Sequence, residues 1–299
     1  MKRPLLALLA AGAIIATVLP AAVSAAGPRM DLRVGPMLGA VHARGAAGPF
    51  GGGGSNPNMT YHNGPLMTSG AAVTQIFWGP SWSSTTYRGD VVNGLSLLYS
   101  SFGGSGYMRT NIEYKNTAGA FVSSAVTLDG TLTDTSATPR RAPKTADVLA
   151  IVAKNITTPK ANGYYPVYTD IKRGSAGYCA WHSWGTVNGV MVKFAFFFDL
   201  TGDSGCDPKN PDAKWSQNME ALASVTGHEL SEAVTDPEGT GWFDGSGAEN
   251  ADKCAWKFDQ TVSLGGTSWW IQGNWSNAAY TAGTGLPNSS GQKGCLYNS

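Results

Sequence analysis

The strongest constraint on the fold is a helical stretch over residues 214–234 that ends abruptly. Its apolar side chains recur near the 3.6-residue helical period, at Met219, Leu222, Val225 and Leu230. Asp236-Pro237 follows this stretch. Because the residue before a proline is disfavoured in the α region, the helix is predicted to end there.

The last turns of this helix bring a histidine and two carboxylates together in the sequence Gly227-His228-Glu229-Leu230-Ser231-Glu232. Residues i and i+4 share a helix face, so His228 and Glu232 are predicted to bind one metal ion. Glu229 then lies beside the metal as the candidate general base for a water molecule. The pattern resembles the His-Glu-x-x-His helix of metallopeptidases, with glutamate in place of the second histidine. It is less specific than that motif, and a solvated Glu232 is the alternative.

A catalytic zinc site has three protein ligands and one position open for water, so a third ligand is expected downstream. Glu249 is the favoured candidate, because a glutamate is the third ligand in the thermolysin-type arrangement that the pattern resembles. Asp252 is the next candidate. His182 is another, although a hydrogen-bonded structural histidine is the simpler interpretation.

Zn²⁺ is the cofactor that these residues predict, and a His/Glu/Glu set also suits manganese or iron. Ca²⁺ is the less favoured alternative. It rests on Asp244-Gly245-Ser246-Gly247-Ala248-Glu249, which spaces oxygen ligands around glycines but lacks the full spacing of a calcium loop.

The N-terminus has the three parts of a secretory signal peptide. Lys2-Arg3 is basic, residues 5–19 are almost wholly apolar, and Val23-Ser24-Ala25 fits a cleavage site. Residues 1–25 are therefore predicted to be a signal peptide, and an uncleaved membrane anchor is the alternative. The mature protein is expected to be secreted, extracellular or in the cell wall.

The rest of the chain divides by composition. Residues 26–58 are rich in Gly, Ala and Pro and are predicted to be a flexible linker or a pro-segment. Residues 59–299 are predicted to be one folded domain. The whole chain carries 21 basic and 20 acidic residues. The sequence has no basic stripe, which argues against a nucleic-acid partner and leaves a peptide or a cell-wall polymer as the expected substrate.

Four cysteines, Cys179, Cys206, Cys254 and Cys295, follow the predicted signal peptide. An even number of cysteines in an oxidising compartment predicts two disulfides. Three pairings are compatible with the sequence, and we favour the one that joins neighbours, Cys179–Cys206 and Cys254–Cys295. A zinc site made of cysteines is the rival, but the sequence has no C-x-x-C pair to support it.

Three short apolar runs, over residues 72–78, 147–153 and 190–200, are predicted to be buried strands. Residues 90–99 have helical spacing, and residues 107–132 alternate in the manner of exposed β-structure. The predicted fold is a single α/β or α+β domain. A mixed sheet packs on helices, a zincin-like helix carries the active site, and two disulfides stabilise the whole.

Several motifs match one family in combination. They are Tyr61-His62-Asn63-Gly64-Pro65-Leu66, Ile76-Phe77-Trp78-Gly79, Cys179-Ala180-Trp181-His182, Ala233-Val234-Thr235-Asp236-Pro237 and Gly241-Trp242-Phe243. Together with Glu249, Cys254 and Cys295, they resemble the EXORDIUM (phosphate-induced protein 1) family over residues 59–299.

This resemblance implies a secreted or cell-wall protein, and in plants the family has no established enzymatic activity. Plant members generally lack the His-Glu pair, whereas His228-Glu229 is present here, as in the microbial branch. The expected function is therefore a zinc-dependent, peptidase-like hydrolase. The alternatives are a non-catalytic extracellular protein that binds carbohydrate through aromatic rings, and a domain whose metal is purely structural.

Overall fold

The computed structural model describes Met1, residues 33–46 and residues 56–299. Apart from Met1, the predicted signal peptide lies outside the described residues. The strands are β1 Leu38–His42, β2 Thr60–Tyr61, β3 Ala71–Trp78, β4 Val126–Asp134, β5 Gly163–Lys172, β6 Tyr178–Val187, β7 Val190–Asp199, β8 Trp242–Phe243, β9 Val262–Leu264, β10 Thr267–Trp269, β11 Asn274–Trp275, β12 Leu286–Pro287 and β13 Lys293–Leu296. The α-helices are α1 Thr85–Arg88, α2 Val91–Phe102, α3 Gly106–Arg109, α4 Thr145–Asn155, α5 Gln217–Thr235 and α6 Asn277–Ala282, and short 3₁₀ turns span Pro80–Ser83 and Asp252–Cys254.

A six-stranded mixed sheet in the order β1-β6-β7-β5-β3-β4 forms the centre of the fold. Strand β3 is parallel to β4 and β5, and β5 is parallel to β7. Strand β6 runs antiparallel to both β7 and β1. The predicted mixed sheet packed on helices is therefore confirmed, and β1 and β4 are its two edges.

Strands β3 and β7 confirm two of the three predicted buried strands, and nearly every residue in both is buried. The third prediction, a strand over residues 147–153, is wrong because these residues lie in helix α4. Its buried residues Val148, Leu149, Ile151 and Val152 have the i, i+1, i+3, i+4 spacing of a helix face. The Asp147 carboxylate also accepts a hydrogen bond from the Lys144 backbone N–H, which satisfies one free donor at the helix start. The predicted β-region 107–132 is correct only from Val126, where β4 begins, and it is wrong at residues 107–109, because the Ser105 hydroxyl caps the short helix α3 there.

Helix α5 confirms the predicted helix, with ends at Gln217 and Thr235. The Ser216 hydroxyl accepts a hydrogen bond from the Met219 N–H at 3.2 Å and caps its start. The helix ends at Thr235 because the next residue, Asp236, has a φ of −144° and a ψ of 63°, which are not helical. The helix contacts β1, β6, β7 and α2. All of its residues from Met219 onwards are buried, so its polar side chains face the interior.

Both predicted disulfides are present, Cys179–Cys206 and Cys254–Cys295. The first ties β6 to the segment that precedes α5. The second ties the turn Asp252–Cys254 to β13. Disulfides persist in oxidising compartments, so this pairing fits an extracellular protein. Among the described residues, none of the helices has the length and apolar character needed to cross a membrane.

We expect replacement of Cys254 and Cys295 by serine to lower the free energy of unfolding by about 2–4 kcal/mol, because the cross-link limits the unfolded chain. Guanidinium titration followed by tryptophan fluorescence measures this change. Replacement of Cys179 and Cys206 is the matched control. Loss of either disulfide should lower stability, whereas only loss of Cys254–Cys295 should reduce metal affinity, since it frees the loop that carries Asp252. Equal metal affinity in the two variants would contradict this assignment.

Candidate metal centre

Three parts of the chain converge on one buried polar cluster. Helix α5 supplies His228, Glu229 and Glu232, and β6 supplies His182. The loop after β8 supplies Glu249 and Asp252. The side chains of His182, His228, Glu229 and Glu232 have no solvent exposure, and those of Glu249 and Asp252 are 5% and 6% exposed.

His228 is oriented by Gln272, which lies just after β10. The His228 Nδ1–H donates to Gln272 Oε1 at 3.0 Å, and the same oxygen accepts the Trp256 backbone N–H at 3.2 Å. The second ring nitrogen, Nε2, is then directed at carboxylates, 2.9 Å from Glu232 Oε1 and 3.6 Å from Asp252 Oδ1. Neither contact has hydrogen-bond geometry. This arrangement is typical of a metal-binding histidine, whose other nitrogen is held by a hydrogen bond.

His182 is held in the same way from the opposite side. Its Nε2–H donates to the Asp236 backbone carbonyl at 3.2 Å. Its Nδ1 lies 3.2 Å from Glu229 Oε2 and 3.8 Å from Glu232 Oε2. Burial lowers the pKa of His182 to about 3, so its ring is neutral and Nδ1 carries a lone pair. Glu229, which faces Nδ1, must therefore carry a proton that it donates to this nitrogen. Otherwise His182 and Glu229 must both bind a cation.

The donors form two groups that share Glu232. One group is His182, Glu229 and Glu232, and the other is His228, Glu232 and Asp252. In each group the ligand atoms all lie within 4.8 Å of one another. The Oε1 atom of Glu232 faces His228 and its Oε2 atom faces His182. Either group has the number and type of ligands that a divalent metal ion requires.

The residues predicted from the sequence thus lie close together, but Glu249 belongs to neither group. Asp252 joins His228 and Glu232. Glu249 lies nearer His182, with its Oε2 atom 3.8 Å from the His182 Nε2 atom. The backbone N–H of Asp252 also donates to Glu232 Oε1 at 2.9 Å, which fixes that carboxylate. Geometry therefore favours Asp252 as the third ligand beside His228, and the assignment of individual roles remains a prediction.

Burial controls the electrostatics of the cluster, and the charge of His228 offsets it only in part. Burial raises the pKa of Glu229 well above its usual range, and nearby Glu232 adds to this effect. Burial followed by repulsion from Asp252 raises the pKa of Glu232 to about 8. Burial opposes protonation of His228, but Glu232 and Asp252 outweigh it, and the His228 pKa is raised. Among the described residues, no lysine or arginine forms an ion pair with these carboxyl groups.

Four polar atoms in the cluster are buried without a hydrogen-bond partner. They are His228 Nε2, Glu229 Oε1, Glu232 Oε2 and Glu249 Oε2. Buried polar atoms are normally paired, because an unpaired one costs about 1–3 kcal/mol. A divalent cation would satisfy several of these atoms at once and would favour ionised carboxylates. The residues present therefore fit a bound metal ion.

The segment suggested for Ca²⁺ has other partners. The Asp244 carboxylate accepts hydrogen bonds from Ser246 and from the Ala248 N–H, and it pairs with Lys253. These contacts stabilise a turn that precedes Glu249. A lysine at the carboxylate leaves little need for a cation there.

Sequence reasoning missed Gln272, which bonds to the cluster, and Tyr164, which lies near it without a hydrogen bond to it. Gln272 lies 44 positions after His228, so no local pattern connects them. The buried Tyr164 hydroxyl has no hydrogen-bond partner. Burial raises its pKa, and Glu229 and Glu232 raise it further. A tyrosine in a buried strand gives no sequence signal that distinguishes a position near charged groups from ordinary core packing.

No family model matches the chain, and no curated protein or solved structure matches it. The function must therefore be inferred from the geometry of the site.

We expect the metal-free protein to lose stability as pH rises from 6.5 to 8. Glu232 binds its proton more tightly in the folded state, so the stability it contributes is lost as pH rises through its folded pKa of about 8. His182 has its ordinary pKa of 6.5 lowered on folding, so it affects stability only below this window. Thermal melts of wild type and Glu232→Gln test this, and the variant should show a flatter pH dependence. A slope that persists unchanged in the variant would contradict the assignment.

We expect Gln272→Leu to weaken zinc affinity by about 10- to 100-fold, because His228 loses the partner that orients its ring. Competition with a chromogenic chelator measures this affinity. Gln75→Leu is the matched control, since Gln75 is also fully buried but bonds to Ser96 and Thr131. A similar loss in both variants would show that the effect is general destabilisation.

Proposed function

We propose that this protein is a secreted, metal-dependent hydrolase that cleaves peptides. One observation carries the proposal. Two histidines, each fixed through one ring nitrogen to a neutral acceptor, direct the other nitrogen at the buried carboxylates of Glu229 and Glu232, and each of these carboxylates has one oxygen without a hydrogen-bond partner. Such an arrangement destabilises the metal-free protein, and it suits a divalent cation.

In this proposal His228, Glu232 and Asp252 hold the metal ion, and Zn²⁺ is the ion expected for a hydrolase. When bound, a zinc ion polarises the carbonyl of the substrate and lowers the pKa of water. Glu229 accepts a proton from the attacking water as its oxygen adds to the peptide carbonyl. Glu229 then passes that proton to the leaving amine as the C–N bond breaks. The second proton of the water also passes to the amine, so the products are one carboxylate and one protonated amine.

His182 positions Glu229 in this scheme. Its Nδ1 atom lies 3.2 Å from Glu229 Oε2, and its other nitrogen is anchored to the Asp236 carbonyl. Burial keeps the pKa of Glu229 above its usual range. A raised pKa suits a group that must both take up and release a proton near neutral pH.

The EXORDIUM resemblance belongs to this proposal as well. We infer that the chain is a microbial-type relative in which the His-Glu pair is present. The disulfides and the predicted signal peptide support an extracellular place of action.

The near-complete burial of the donors favours a second candidate, a metal ion with a purely structural role. A structural site is closed to water and substrate, whereas a catalytic site has an open position. The two candidates differ in what they require of Glu229. A structural ion needs no general base.

We expect Glu229→Gln to retain zinc and to lose about 100-fold or more in peptide hydrolysis, because general-base catalysis contributes at least this factor. Metal analysis of the purified protein and assays with a mixed peptide library measure the two quantities. Glu220→Gln is the matched control. Glu220 is a buried glutamate on the same helix, bonded to Asn210 outside the cluster.

His228→Ala should lose the metal and the activity together. If chelation lowers the melting temperature of the wild type, and no peptide is hydrolysed under any condition, the structural role replaces the catalytic one. A wild type that binds no metal would remove both candidates.

A further inference from the structure

Strand β1 comes from the Gly/Ala/Pro-rich segment 26–58, yet it forms the edge of the central sheet. It pairs antiparallel with β6, with Leu38 opposite His182 and Val41 opposite Ala180. Backbone hydrogen bonds continue the pairing at both ends, from the Gly35 N–H to the Trp184 carbonyl and from the Ala43 N–H to the Gly177 carbonyl. Without β1, the edge of the sheet would be β6, the strand that carries His182.

An irregularity in β1 brings its backbone against the metal centre. Between Leu38 and Val41 the register shifts, and Gly39 adopts a φ of +50°. A Cβ atom at Gly39 would lie 2.0 Å from Glu232 Oε2 and 2.7 Å from His182 Nδ1, so only glycine fits. The Val41 backbone also lies close enough to the Glu229 carboxylate to oppose the rise in its pKa. Strand β1 therefore covers the space that a substrate would need in front of these carboxylates.

The segment makes a third kind of contact just beyond β1. The Arg44 guanidinium lies 5.0 Å from the ring centre of Trp256 and 5.6 Å from that of Phe258. Its Nη2 atom donates to the Pro208 carbonyl at 3.2 Å. The Trp256 indole N–H donates to the His42 carbonyl at 2.7 Å. These contacts hold a cationic side chain on an aromatic surface.

A cleft of about 490 Å³ adjoins this end of the segment. It is lined by residues 42–46, by Ser289, and by Asp252, Ala255, Trp256 and Lys257. Asp252 is also a candidate metal ligand, so the cleft and the metal centre share this residue. Residues 33–46 thus contact, in chain order, a strand edge, a position restricted to glycine and an aromatic subsite for a cation.

We propose that β6 and this cleft form a binding groove for an extended peptide, and that residues 33–46 occupy the groove in cis. Main-chain pairing with a sheet edge supplies affinity, and pockets for individual side chains supply specificity. A substrate peptide would add to β6 as an antiparallel strand, with a small residue at the place of Gly39 and a basic one at the place of Arg44. The assignment of this peptide as a substrate rests on the proposed hydrolase function, whereas the groove itself does not.

This occupancy accounts for the burial of the metal centre. With residues 33–46 in place, substrate cannot reach Glu229, so the described state is closed. Separation of this segment from the rest of the chain would open the groove. The segment would then act as a pro-segment rather than as a linker.

The first experiment uses the mature, zinc-loaded chain with the recognition sequence of a site-specific protease placed within residues 47–55. After cleavage and removal of the released segment, binding of a fluorescent synthetic peptide of residues 33–46 is measured by anisotropy. We expect the cut protein to bind this peptide at least 10-fold more tightly than the uncut protein. A peptide with Arg44→Glu should bind at least 10-fold more weakly than the native peptide.

Arg33→Glu in the same peptide is the matched control, because the Arg33 side chain makes no hydrogen bond or ring contact among the described residues, and only its carbonyl is used. Equal weakening by both changes would indicate non-specific charge attraction and would overturn the subsite.

The second experiment keeps the chain intact and compares Gly39→Ala with Gly45→Ala. Both glycines have positive φ, +50° and +78°, but a Cβ atom at Gly45 would meet no atom within 4 Å. We expect Gly39→Ala to displace β1. Amide hydrogens of β6 should then exchange at least 10-fold faster, and a chelator should remove zinc at least 10-fold faster. Gly45→Ala should change neither rate.

The outcomes separate the groove from the hydrolase. Peptide binding by the cut protein without hydrolysis of any peptide supports the groove and removes the hydrolase. Hydrolysis at equal rates before and after the cut, with no peptide binding, supports the hydrolase and overturns the groove. If the cut chain unfolds, the comparison of Gly39→Ala with Gly45→Ala tests the proposal instead. Equal amide exchange rates in β6 for the two variants would then overturn the groove.

Discussion

Burial of the polar side chains of helix α5 is the main electrostatic constraint on this fold. Glu229 and Glu232 are removed from water together with His228, and Glu249 and Asp252 approach from the facing loop. An isolated buried carboxylate is strongly unfavourable, and without a partner it takes up a proton instead. This cost raises the pKa values of Glu229, Glu232 and Glu249, because burial disfavours their charged forms. A divalent cation removes the cost by neutralising several of these groups at once.

The surrounding structure holds this cluster in place through groups that are not themselves charged. A side-chain amide orients His228, and a backbone carbonyl orients His182. The disulfide Cys254–Cys295 anchors the turn that begins with Asp252. Because each histidine has one nitrogen fixed, the other has a defined direction before any metal binds. Such preorganisation reduces the entropy that binding must overcome.

The segment before the domain shows why composition alone misjudges function. Residues 26–58 are rich in glycine, which is typical of a linker. The same glycine content allows β1 to approach the cluster, since Gly39 has no side chain to collide with Glu232. A glycine in a strand often marks such a close approach of the backbone. The composition is therefore compatible with both a linker and a strand, and only the contacts separate them.

The local sequence determined several features of this protein. The helical period and Asp236-Pro237 defined α5, and the spacing of His228 and Glu232 placed both on one face, since helix geometry is set by neighbours in the chain. The run at 147–153 does not specify its own structure, because a short apolar stretch suits a buried strand and a buried helix equally well. The tertiary structure alone decided that Asp252 rather than Glu249 lies beside His228, and that His182 and Gln272 join the cluster. These residues come from distant parts of the chain. Their convergence depends on sheet order, on which strand lies beside which, and no local pattern encodes that.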